Sequence, residues 1–202
     1  MRLKLDHPED EIERWNAMRH GDALSYQWLY MRYFQPLYSY GKKIGVGEQA
    51  LLESIHDVFV DLWFYHENLS EIESVKLYLY RSFRRKVNRH LSSQVLIDSL
   101  EALIEEHPIY EDNELKSDID ISDDSELQAQ ALRKLVNDLS PRQYEALVLR
   151  CHEEFSYREI ADILDINEDS AGALVEHGLD QLKKFARYVM TIAGLLVLWN
   201  GI

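Results

Sequence analysis

Residues 51–63 read Leu51-Leu52-Glu53-Ser54-Ile55-His56-Asp57-Val58-Phe59-Val60-Asp61-Leu62-Trp63, and their spacing decides the fold class. Leu51, Leu52, Ile55, Val58, Phe59, Leu62 and Trp63 recur at steps of one, three and four, the period of a helix with one buried face. Glu53, Asp57 and Asp61 stand four apart and form an acidic stripe beside that face. The pattern predicts a helix over about 48–66.

Working outward towards the N-terminus, Gly41, Gly45 and Gly47 break the preceding pattern. Gly41-Lys42-Lys43 lacks the spacing of a phosphate-binding loop and reads as a connector. Before it, a helix is predicted to start near the N-cap residue Asp22, carrying Tyr26, Trp28, Tyr30, Tyr33, Phe34 and Tyr38. Glu9–Arg19 forms a shorter helix. Towards the C-terminus, a connector at about 66–71 leads into a helix over about 72–91. On its wheel Ile72, Val75, Leu79, Phe83, Val87 and Leu91 gather on one side. Tyr78, Arg81, Arg85, Asn88 and Arg89 gather opposite, with Arg84 at the edge. Arg81, Arg84, Arg85, Lys86 and Arg89 make five basic residues between 81 and 89, with no acid among them. Basic groups neutralise phosphates and release counterions, and aromatic rings and guanidinium planes offer stacking surfaces for unpaired bases. The connector, led by Trp63, Phe64 and Tyr65 and containing Asn68, is placed to help hold a flipped base. The competing reading of this helix is a solvated cationic face over an aromatic core.

The chain has 202 residues, 46% of them hydrophobic, enough for one or two packed domains. Its net charge of −14 is unevenly spread. Residues 1–91 hold 13 basic and 13 acidic side chains, 92–126 hold 1 and 12, and 127–202 hold 8 and 11. The acidity therefore belongs mainly to the middle segment, and the global charge does not exclude nucleic acid. Residues 92–126, rich in Ser and acid with an isolated Pro108, read as a solvated linker, with a short helix around 96–106.

A second module is predicted over 127–188, with helices at about 126–138, 141–152, 156–164 and 168–188. Pro141 suits a first helical turn, with Ser140 as its cap. Ile160, Ala161, Ile163 and Leu164 mark a short amphipathic helix. Asp165-Ile166-Asn167 makes a tight turn, and Ala171, Leu174, Val175, Leu179 and Leu182 restart the period: a helix-turn-helix. Asp165 stands where the chain must turn left-handed, which Asp tolerates better than most residues. No stretch alternates with period two, so the expected fold is all-α: two helical domains, 9–91 and 127–188, an acidic linker at 92–126 and an apolar tail at 189–202. The tail is too short to cross a bilayer, which takes about 20 residues. It is expected to pack on the second module, ahead of docking to a partner or lying at a membrane surface.

Cys151 is the only cysteine, so no intrachain disulfide forms, and it is expected to be a buried small side chain. With no basic-then-apolar N-terminal stretch, a cytoplasmic location is expected. His56-Asp57 invites comparison with HD-type metal-dependent phosphohydrolases, but His7, His20, His66 and His90 do not fall at the spacing of a ligand set. No nucleophile motif is present. No catalytic residue, metal or cofactor is expected.

On these residues the chain resembles the small two-domain sigma factors of the extracytoplasmic-function group, over roughly 20–91 and 127–185. Ile55-His56-Asp57-Val58-Phe59-Val60-Asp61-Leu62-Trp63 is similar to the helix by which that family docks on the polymerase clamp, with His56 where Gln is usual. Tyr78-Leu79-Tyr80-Arg81-Ser82-Phe83-Arg84-Arg85-Lys86 resembles its promoter-melting helix, with Arg85 in place of a common Asn. Leu139-Ser140-Pro141-Arg142-Gln143 and Phe155-Ser156-Tyr157-Arg158-Glu159-Ile160-Ala161 resemble the opening of its second domain and its Leu-Ser-Tyr-x-Glu-Ile-Ala motif. The resemblance implies core-polymerase binding by Glu53, Asp57, Asp61, Phe59 and Trp63. It implies −10 DNA contacts from Asn68, Tyr78, Arg81, Arg84, Arg85, Asn88 and Arg89. It also implies partners: RNA polymerase core, promoter DNA and an anti-sigma factor, with no stable membrane insertion. The acidic linker would occupy the RNA-exit region as a nucleic-acid mimic, or act as a plain spacer.

The recognition helix departs from the family. Ser170-Ala171-Gly172-Ala173-Leu174-Val175-Glu176-His177-Gly178 lacks the usual basic side chains, while Glu168, Asp169 and Glu176 add charge that repels phosphate. Arg158, Ser170, His177, Lys183 and Lys184 remain as candidate phosphate contacts. A sigma-like adaptor or decoy that has lost −35 binding is therefore the alternative function.

Overall fold

The computed structural model describes the backbone of residues 8–104 and 139–199, and the side chains of residues 10–92 and 139–184. The predicted helix at 126–138 and the part of the acidic linker from 105 onward lie outside the described residues. Seven α-helices and no strand occur among the described residues: α1 (Pro8–Arg19), α2 (Ala23–Lys43), α3 (Glu48–Phe64), α4 (Val75–Ile104), α5 (Pro141–Leu147), α6 (Tyr157–Leu164) and α7 (Glu168–Trp199). The chain divides into two compact units.

In the first, α2, α3 and α4 pack on one another and α1 lies on α2. Asp22 caps α2 as its type predicts: the side chain accepts from the N–H groups of Leu24 and Ser25. The Ser25 hydroxyl donates to the same carboxylate at 2.5 Å and, more than any other contact, holds its pKa below the ordinary value. The core is built from Trp15, Met18, Leu29, Leu37, Tyr40, Leu51, Ile55, Phe59, Leu62, Leu79, Tyr80 and Phe83, each under 2% exposed. Tyr33 is buried too and donates its phenol to Glu11 Oε2 at 2.5 Å. Burial first, and that hydrogen bond second, push the phenol well above its usual range.

Several boundaries differ from the sequence reading. Gly41 does not end α2. It lies inside the helix, where α3 and α4 come so close that a Cβ would strike Leu51 and Phe83. The chain turns at Gly45 instead, at φ +79°. The helix expected from 72 starts at Val75, after Ser74 receives the Leu77 N–H on its hydroxyl, so Ile72 belongs to the connector. Val75, Leu79, Phe83 and Val87 are buried as expected, but Leu91 is 46% exposed. The helix itself continues to Ile104, through the start of the segment read as linker.

In the second unit α5 packs against α7. Ser140 and Gln143 form a reciprocal capping box at the start of α5, with Pro141 in the first turn. Val148–His152 then widens into a π-helical turn. Cys151 lies on this turn and is exposed rather than buried, unlike Val148 and Leu149. Ser156 and Glu159 repeat the reciprocal cap at α6, with Ser156 N–H on Glu159 Oε2 at 2.8 Å and Glu159 N–H on Ser156 Oγ at 3.3 Å. Asp165 is left-handed, φ +56°, as the turn required. Asn167 accepts the Ser170 N–H at 2.7 Å and caps α7. That helix runs unbroken to Trp199, so the backbone of the segment read as a tail is helical that far.

Candidate functional site

The acidic stripe and the basic face lie on neighbouring helices, α3 and α4. On α3 the apolar stripe turns inward and leaves the acids at the surface: Glu53, Asp57 and Asp61 have side chains 49%, 41% and 50% exposed. They are not idle there. Lys86 Nζ of α4 sits 2.5 Å from Asp61 Oδ2, and the His90 ring bridges Asp57 Oδ2 at 3.3 Å and Glu53 Oε2 at 3.6 Å. Phe59 is 1% exposed, so it supports α3 from the core and presents nothing to a partner. Trp63 is 37% exposed, packs on Tyr26 with centroids 5.0 Å apart, and stacks on His66 at 5.1 Å. Tyr26 also joins α2 to α3 by donating its phenol to the Phe59 carbonyl at 3.1 Å. Tyr30 closes on Phe59 edge-on at 4.9 Å.

On α4, Arg81, Arg85, Asn88 and Arg89 are exposed, opposite buried Leu79, Phe83 and Val87. Arg84, half-buried, donates to the Asn88 side chain one turn on. The bond holds the guanidinium along the helix surface beside the other cations. Tyr78 is half-buried, edge-on to Trp15 at 4.8 Å. Burial raises its phenol above the usual value, with the Ser82 hydrogen bond and Arg85 opposing that rise. Of the five basic residues between 81 and 89, Lys86 therefore points away from the other cations, into the α3–α4 seam.

The connector that carries Asn68 is a short 3-10 turn, His66–Asn68, with Asn68 exposed. Two α1 side chains hold it: Trp15 Nε1 donates to the Ser70 carbonyl at 3.2 Å, and Arg19 Nε to the Leu69 carbonyl at 2.7 Å. Sequence reasoning missed Trp15 and Arg19. A lone Trp in a short polar helix signals burial at most, and the carbonyls that Trp15 and Arg19 reach lie 55 and 50 residues away.

In the helix-turn-helix, Arg158, Ser170, His177, Lys183 and Lys184 are all exposed, as are Glu168, Asp169 and Glu176. Lys183 lies 3.5 Å from Asp180, which dilutes its charge. Gly178 is buried against α5, where a Cβ would stand 2.7 Å from Leu147 Cδ1. Arg150, outside the candidate set, stacks over the Tyr157 ring at 4.9 Å and donates to the Phe155 carbonyl, tying α6 to the preceding turn. Among the described residues no group of three or more His, Cys, Asp or Glu side chains converges as a metal site, His56 and Asp57 included. No described helix is long and apolar enough to cross a membrane.

Residues 129–182 match the family model described as sigma-70, region 4, so the C-terminal module is a sigma-70 region 4 domain. Two solved structures share the fold. CnrH, solved in complex with the cytosolic domain of CnrY, matches with TM-score 0.59 at 13% identity, over 88% of this chain and 97% of that one. The sigma factor RpoE from Bartonella quintana, solved with the anti-sigma factor NepR, matches with TM-score 0.57 at 17% identity, over 80% and 96%. No curated protein sequence matches the chain. The family match covers the second module, and the two structures share the helical fold of the chain. The likeness to these two structures is one of fold.

Proposed function

We propose that the protein is a sigma factor that brings RNA polymerase core to promoters and starts transcription chiefly through its first module. The match of residues 129–182 to sigma-70 region 4 carries this reading. The exposed cationic face of α4 beside an acidic α3 supports the division of labour within it. In this reading Glu53, Asp57 and Asp61 meet basic groups of the core, Trp63 flanks them and Phe59 holds the helix in place. Arg81, Arg85, Asn88 and Arg89 engage the unpaired −10 strand, with Arg84, Tyr78 and Asn68 at its border. The relative solved with NepR supports proposing an anti-sigma factor as a further partner.

Run-off transcription with bacterial core polymerase on promoter fragments tests the proposal. Specific starts are expected with the protein, and their loss with the double substitution Arg81→Ala/Arg85→Ala, while core binding persists. A second reading, an adaptor or decoy, is favoured by one observation: α7 exposes Glu168, Asp169 and Glu176 where phosphate contact would need cations. Core binding with no start on any fragment of a broad library would select it.

A further inference from the structure

The acidic stripe of α3 already has a cation. Lys86 Nζ lies 2.5 Å from Asp61 Oδ2 and 4.0 Å from Asp57 Oδ2. Its side chain is only 13% exposed, whereas the two carboxylates remain 50% and 41% exposed. One turn on, His90 stands between Asp57 and Glu53. Two groups of α4 thus run along three carboxylates of α3. The buried stem holds the lysine in this seam, while the carboxylates stay within reach of a partner.

We propose that Lys86 is a built-in competitor for the cationic partner of α3, setting the affinity of that surface below what three carboxylates would give alone. An incoming ammonium or guanidinium at Asp57 or Asp61 meets the like charge of Lys86 at the same oxygen atoms. It must share them or displace the lysine, and either course weakens the contact. A long flexible ammonium arm suits this role, because it yields to a better-placed fork such as an arginine, which binds a carboxylate through two parallel bonds. The inference rests on the proposed docking role of α3 and adds the residue that tunes it.

The test is the affinity of the full chain for core polymerase with Lys86→Met, which keeps the stem, Lys86→Arg, which keeps the charge, and Lys43→Met, which changes net charge equally on α2. Circular dichroism confirms that each variant folds, and Lys86→Gln replaces Lys86→Met should the latter not fold. Lys86→Met is expected to bind about two- to fivefold more tightly, the span of a partly exposed ion pair, with the gain shrinking as salt rises. Lys86→Arg, which keeps the competing charge, is expected to bind no more tightly than wild type, and Lys43→Met is expected to stay near wild type. Unchanged or weaker binding by Lys86→Met, or an equal gain from Lys43→Met, overturns the proposal. If the wild-type chain does not bind core, the docking reading fails, and poly-lysine becomes the cationic probe. A gain confined to the Lys86 variant then supports competition at the stripe, and no gain overturns it.

Discussion

At the scale of single residues, aromatic side chains that share a sequence pattern divide into two roles. Phe59 and Trp63 stand four apart on α3 and belong to one apolar stripe, yet one is 1% and the other 37% exposed. Phe59 touches Tyr26 and Tyr30 from below, while Trp63 lies at the rim against Tyr26 and His66. Phe59→Ala should therefore cost about 3–5 kcal/mol of stability by opening a cavity in the core. Trp63→Ala should cost clearly less and act mainly on partner binding. Chemical denaturation of both variants, set beside their core-polymerase affinity, checks the contrast. Equal destabilisation would mean that Trp63 is a second core residue. Lys86 shows the same division among cations. Its neighbours Arg85 and Arg89 face solvent, and it faces α3 because one residue along a helix rotates a side chain by about 100°.

At the scale of elements, glycine is informative where two helices meet. On α7, Gly178 looks from sequence like a weakness in a recognition helix, since glycine lowers helix propensity by about 1 kcal/mol. Packing gives it another meaning: Leu147 of α5 occupies the space a side chain would fill. Gly178→Val should lose about 1–3 kcal/mol through overpacking. Adding Leu147→Ala should make the pair less destabilising than the two single losses added together, because the second change makes room for the first. Thermal melts of the two single variants and the double variant measure this. Strict additivity would mean that the close approach does not govern the site. The caps on α2, α5, α6 and α7 follow from Asp22, Ser140, Ser156 and Asn167, so those helix starts rest on local chemistry.

At the scale of the whole molecule, α3 and α4 join two opposite surfaces in one unit. Acids along one helix lie beside cations along the next, which keeps the first module near neutral while offering each partner the sign it prefers. Asp57→Arg should abolish recovery of core polymerase in a pull-down and leave the far-UV circular dichroism of a folded helical chain. A variant that still recovers core would remove α3 from the docking surface. The basic face of α4 should then still bind single-stranded DNA with a steep salt dependence, since phosphate contacts release counterions whatever α3 does.

Periodicity and residue type alone were enough for the helical class, the positions of α1 to α3, the turn at Asp165 and the caps at Asp22 and Ser140. Each depends on neighbours within one or two turns, where spacing and side-chain chemistry act directly. They were also enough for the motifs behind the sigma-factor resemblance and for the outward placement of Arg81, Arg85, Asn88 and Arg89. Other features depended on contacts between segments far apart in the chain. Gly41 lies inside a helix, where Leu51 and Phe83 leave no room for a side chain. The Asn68 connector is held by Trp15 and Arg19. Cys151 is exposed on a π-helical turn, Leu91 is exposed, and Lys86 belongs to the acids of α3 rather than to the basic run in which it is written. A helical period states which residues share a face, but only the packed neighbour decides which face is buried and which charge is already paired.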